Sequence, residues 1–102
     1  MDMNDIMQQA QRMQLELARA QEEIQTLTYT ASSGGGMVQV TALGDGTLQD
    51  ITIDPEAVDP EDVEMLQDMV LAAANAALRG VSEAGEQRMS SVTGGLNIPG
   101  LF

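Results

Sequence analysis

The chain has 102 residues and a formal net charge of −12, from four arginines (Arg12, Arg19, Arg79, Arg88) against sixteen carboxylates, with no lysine, histidine or cysteine. Without His there is no ready proton shuttle near neutral pH, without Cys or Lys no thiolate or amine nucleophile, and the usual zinc ligands are missing. The expectation is therefore no catalytic residue, no metal site and no cofactor: the chain reads as a protein that presents surfaces rather than as an enzyme, and one that repels nucleic acid and anionic membranes on average.

Residues 3–28 carry the clearest periodicity. Met3, Ile6, Ala10, Met13, Leu17, Ala20, Ile24 and Leu27 recur at alternating spacings of three and four, an a/d heptad pattern among good helix formers with no Gly or Pro. A helix of this length is about 40 Å long, too long to be covered by the rest of so small a domain. A second copy is expected to cover part of the stripe, which puts Met3, Ile6, Ala10, Met13, Leu17 and Ala20 at a homodimer interface. Arg12 and Arg19, seven apart and both at heptad position c, share one exposed face. Arg12 and Glu16, and Arg19 and Glu23, each stand four apart and can pair along the helix. Glu22 and Glu23 read as exposed helix residues.

Residues 28–53 read as a three-stranded antiparallel meander with one face packed on helices. Thr28 to Ser33 is strand-like, and Gly34-Gly35-Gly36 interrupts it. No Lys-Ser or Lys-Thr follows these glycines, so they are not a P-loop. Val38, Val40 and Ala42 alternate with polar residues as in a half-buried strand. Gly44-Asp45-Gly46 supplies a turn of residues free to take positive φ. Leu48, Ile51 and Ile53 follow with a phase slip that marks a bulge.

Asp54-Pro55 ends the sheet. Asp59 as N-cap and Pro60 at the first helical position predict a second helix over 60–89. Its apolar face is Val63, Leu66, Val70, Ala73 and Ala77. Gly80 and Gly85 weaken it by about 1 kcal/mol each relative to Ala and leave room for a bend. The six acids between Asp54 and Glu64 lack the order of a calcium-binding loop and suit a helix N-terminus with a solvated face. Residues 90–102 form an irregular tail, either mobile or docked on a partner or on the dimer. The order is α-β-β-β-α in one α+β domain spanning 1–102. The core must be aliphatic, since Tyr29 and Phe102 are the only aromatics and eight methionines stand in for others. No stretch reaches the roughly 20 apolar residues of a membrane span. The start Met1-Asp2-Met3-Asn4-Asp5 is acidic where a signal peptide is basic. With no cysteine as well, a soluble cytoplasmic protein without a membrane partner is expected.

Several segments together resemble the YbaB/EbfC family of bacterial nucleoid-associated proteins: Met7-Gln8-Gln9-Ala10-Gln11-Arg12-Met13-Gln14, Gly34-Gly35-Gly36-Met37-Val38-Gln39-Val40, Ile51-Thr52-Ile53-Asp54-Pro55 with Asp59 to Asp68, Ala73-Ala74-Asn75-Ala76-Ala77, and Met89 with Thr93-Gly94-Gly95-Leu96-Asn97-Ile98-Pro99-Gly100-Leu101-Phe102. Each is weak alone; their order and spacing are specific and span nearly the whole chain. The resemblance implies a tweezer-like homodimer of long helices and a short sheet. It also implies binding of double-stranded DNA in the cytoplasm or nucleoid, in nucleoid organisation or gene regulation. DNA-binding members present lysines and arginines on the helices; here only Arg12, Arg19, Arg79 and Arg88 remain to contact phosphates. Four such contacts give a salt slope of only about −4, so binding in this acidic member is expected to be weak or conditional. The alternative is a protein-interaction module whose acidic surface and apolar tail engage a basic partner, such as a recombination or replication protein.

Overall fold

The computed structural model describes residues 2–94. It is α+β, in the element order expected. Helix α1 (Met3–Thr26) starts at Asp2, whose carboxylate accepts the Asp5 N–H at 2.9 Å. It ends where Leu27 turns extended and feeds β1 (Thr28–Ser33). Gly34, Gly35 and Gly36, all at positive φ, carry the chain into β2 (Val38–Leu43), which pairs antiparallel with both β1 and β3 (Leu48–Ile53). The register shifts between Thr41 and Ala42, leaving Gln49 as the extra residue of the expected bulge. That shift is why Leu48 lies on the same face as Ile51 and Ile53 despite its opposite parity.

Helix α2 (Val63–Thr93) packs on β1 and β2. Its buried residues Ala73, Ala77, Val81 and Gly85 recur every four residues in one row. This row of small side chains brings the helix backbone close to the sheet. Ala73, Ala77 and Val81 meet Val38, Val40 and Ala42 of β2 in the core. The largest fully buried side chains are only Val38 and Val40. The Ser33 hydroxyl donates to the Met69 carbonyl at 2.6 Å and ties the end of β1 to α2.

Both ends of α2 and one turn differ from the sequence reading. Asp59 is not the N-cap and Pro60 does not open the helix. The Asp59 carboxylate accepts the Glu61 N–H and its carbonyl accepts the Asp62 N–H, both at 2.9 Å, so residues 59–62 close into a turn. Asp62 caps instead, accepting the Met65 N–H at 3.3 Å. At the other end α2 runs past Met89 to Thr93, through residues assigned to the tail; the rest of the tail, 95–102, lies outside the described residues. Gly44 does not need positive φ in the 44–47 turn; only Gly46 takes it, at 88°. Gly44 is small for another reason. It sits on the end of α1, where its N–H donates to the Leu27 carbonyl at 2.9 Å and a Cβ would run into the Ile24 carbonyl.

The molecule is elongated. Its radius of gyration is 20.0 Å and its extents are 72 × 24 × 15 Å, whereas a compact domain of this length has a radius near 13 Å. Only the C-terminal part of α1 rests on α2, and the rest projects as an arm.

Candidate nucleic-acid interface

Arg12 and Arg19 both project from the exposed surface of α1, two turns apart and so about 10 Å along its axis. Arg79 is exposed on α2, and Arg88 is half-buried on the same helix. The packing of α1 on α2 brings two of the four together. Arg19 and Arg88 line one open groove of about 460 Å³, with Glu16, Glu23, Ser91 and Val92. Arg12 and Arg79 do not line it.

Within the groove Arg88 donates from Nε to Oε2 of Glu23 at 2.7 Å, the one ion pair among the described residues. Glu23 therefore pairs across the two helices, with a residue 65 positions away, and not along α1 with Arg19. This is the residue of the candidate site that sequence reasoning missed. No local spacing links Glu23 to Arg88, and on α1 alone it is one more exposed glutamate. The hydrogen bond from Arg88, then its charge, holds the Glu23 carboxyl below the ordinary glutamate range, with Arg19 adding a smaller pull. Reciprocally, the Arg88 guanidinium is raised. Because the carboxyl is depressed in the folded chain, what the pair contributes is present above the ordinary glutamate range. It is lost as pH falls through the folded value. The side chains are 36% and 53% exposed, so water and salt screen the pair and its net worth is small.

The expected dimer stripe divides in two. Met3 is 77% and Ile6 52% exposed, and Ala10 is also open. Met13 and Leu17 are half-buried. Ala20 is fully buried inside its own protomer, so it offers no surface to a second copy: α1 has already turned that part of its stripe onto α2. A second uncovered apolar surface lies on the sheet. Leu48, Ile51 and Ile53 pair with Ala42, Val40 and Val38, so they point to the helix side of the sheet. There α2 encloses the β2 residues completely, while the three β3 residues stay 37–44% exposed.

Three of the six carboxylates of the acidic segment bond its own backbone. Asp54 accepts the Glu56 N–H at 2.9 Å, and Asp59 and Asp62 close the turn and cap described above. No group of three or more Asp or Glu among the described residues is placed to hold a metal ion.

The geometry defines a small α+β protein whose two long helices carry its cations on exposed flanks and in the groove between them. The chain belongs to the YbaB/EbfC DNA-binding family, whose sequence model matches residues 1–96. It is 52% identical over 102 residues to a protein named nucleoid-associated protein from Acetivibrio thermocellus, covering 99% of this chain and 90% of that one. A protein of the same name from Desulforamulus reducens is 52% identical over 101 residues, covering 99% and 96%. Among solved structures, the uncharacterized protein HP0035 from Helicobacter pylori superposes with a TM-score of 0.65 at 31% identity, over 85% of this chain and 91% of that one.

Proposed function

We propose that the protein is a homodimeric, nucleoid-associated DNA-binding protein that binds duplex DNA weakly through Arg12, Arg19, Arg79 and Arg88 and works in nucleoid organisation or gene regulation. Membership of a DNA-binding family supports the partner. The observation that carries the site is the convergence of Arg19 and Arg88 on one groove between two helical arms. It brings two guanidiniums together, with Glu16 and Glu23 beside them, on a chain whose average field is repulsive, and guanidiniums are the side chains best matched to phosphate. The names of the relatives support a place in the nucleoid. No helix among the described residues is long and apolar enough to cross a membrane.

The test is a fluorescence-anisotropy titration with duplex DNA at about 50 mM salt, repeated at rising salt. Wild type is expected to bind with a shallow salt slope. The Arg12→Ala/Arg19→Ala variant is expected to lose about 1.8 of that slope for each arm engaged, at about 0.9 per phosphate contact. Absence of binding by wild type at this salt overturns the function; an unchanged slope in the variant overturns the contacts.

Surface area supports the dimer. The chain exposes 7414 Å², whereas a compact monomer of its mass exposes roughly 5,500 Å². The excess is larger than the roughly 800 Å² that each partner buries in a standard interface. A second copy would close the two uncovered apolar surfaces, the Met3–Ile6–Ala10 stripe and the β3 face. Ile51→Asp/Ile53→Asp is expected to turn the dimer into a monomer in sedimentation experiments without unfolding it, because both side chains are already exposed in the protomer. An unchanged sedimentation coefficient would remove β3 from the interface.

One observation favours the second reading, a module for a basic protein partner. Val58, Val63 and Met65 are 51–54% exposed amid Glu56, Asp59, Glu61, Asp62 and Glu64, an apolar surface set in negative charge. The same titration separates the readings, since this one requires no affinity for DNA at low salt.

A further inference from the structure

The groove between α1 and α2 is already occupied by the chain's own anion. Arg88 has the more enclosed of the two guanidiniums lining it, and Glu23 accepts the Arg88 Nε–H at 2.7 Å from within the same groove. A carboxylate and a phosphate present similar pairs of acceptor oxygens to a guanidinium, so they compete for the same donors. Glu16 lines the groove as well, so its four charges cancel and it attracts no anion while all stay in place. A phosphate oxygen seated on Arg88 beside Glu23 would put two anions on one cation, and like charges at that range repel.

We propose that Glu23 is an intramolecular competitor for phosphate: it holds Arg88 in the closed groove, and duplex DNA engages Arg19 and Arg88 together only by displacing it. The inference rests on the DNA-binding reading and deepens it, because it assigns the weak binding to a particular contact and not to net charge alone. The pair suits a reversible competitor. It is strong enough in geometry to define the resting state, yet exposed enough that solvent weakens it and a polyanion can replace it. Displacement also removes the one ion pair between the two helices among the described residues, while Ala20 keeps this part of α1 packed on α2.

The test compares Glu23→Gln with Glu22→Gln on the full-length chain, using a duplex DNA probe at about 50 mM salt and over a salt series. The two substitutions remove the same charge from adjacent exposed positions of α1, but the ion pair of Arg88 is with Glu23 and not with Glu22. Both are expected to tighten binding through net charge. Glu23→Gln is expected to tighten it several-fold further and to steepen the salt slope by about 0.9 per arm, the value of one freed phosphate contact. In an Arg88→Gln background the advantage of Glu23→Gln over Glu22→Gln should disappear, and Glu23→Ala should reproduce Glu23→Gln in both backgrounds. Equal affinities for the two single variants, or an advantage that persists without Arg88, overturns the competitor while leaving the DNA-binding reading intact. Failure of wild type and of all the variants to bind overturns both. Thermal unfolding of each variant provides the structural control: a gain in affinity with an unchanged midpoint is the expected pattern, and a gain that tracks loss of stability would assign the effect to loosening of the helix pair.

Discussion

Replacing Gly44 by alanine is expected to destabilise the protein by about 3 kcal/mol or more, at the upper end for overpacked sites. The new methyl group would run into the carbonyl oxygen of Ile24, which is backbone and has no rotamer to escape to. That carbonyl also accepts the Leu27 N–H at 3.2 Å, closing the last turn of α1. The Gly44 N–H itself donates to the Leu27 carbonyl at 2.9 Å. Relief of the collision therefore requires moving the end of α1 off the β2–β3 turn and giving up this second bond. The measurement is urea or thermal unfolding followed by circular dichroism, with the midpoint lowered by roughly 4–8 °C for each kcal/mol. A midpoint within a degree or two of wild type would mean that the turn does not seat on α1.

Gly80→Ala is the more diagnostic substitution, because two effects oppose each other. Alanine in a helix interior is favoured over glycine by about 1 kcal/mol, so propensity alone predicts a more stable protein. At this position, however, the added Cβ falls on the ring of Tyr29. Overpacking costs typically about 1–3 kcal/mol. Tyr29 is 44% exposed and can tilt outward, and subtracting the propensity gain leaves an expected net loss of roughly 0–2 kcal/mol. A double-mutant cycle with Tyr29→Ala isolates the contact: in the absence of the ring, Gly80→Ala should become stabilising. If Gly80→Ala stabilises the otherwise wild-type chain, the close approach of β1 to α2 at this point is wrong.

These two glycines show how far a sequence can be read. Gly44 looked like a turn residue chosen for positive φ, and Gly80 like a weak point where α2 bends. Both are small because another element passes over them, the end of α1 in one case and a tyrosine from β1 in the other. Local pattern carries no sign of such an approach, since the colliding atoms lie 20 and 51 positions away along the chain. Asp59-Pro60 misled in a related way. It has the chemistry of a helix start, but Asp59 uses its carboxylate on a tighter turn, and the similar residue three positions later caps the helix.

The candidate site divides along the same line. The arginines are visible as the only cations in an acidic chain, and the heptad pattern places Arg12 and Arg19 on one face of α1. The meeting of Arg19 with Arg88, and of Arg88 with Glu23, depends on how α1 crosses the far end of α2. The apolar stripe of α1 was legible as a stripe, but its division was not. One periodic apolar face serves equally well to pack on the same chain or on another copy, and only the position of α2 decides that Ala20 is enclosed while Met3 and Ile6 stay open.

The sequence by itself determined the order of elements, the bulge in the last strand, the aliphatic character of the core and the family. Periodicity, turn chemistry and residue order are local properties that survive without coordinates. The tertiary structure alone decided which apolar surfaces remain uncovered, which glycines admit a neighbour and which carboxylate holds Arg88. Each of these depends on distances between segments far apart in the chain, and such distances are set only when the helices settle on the sheet.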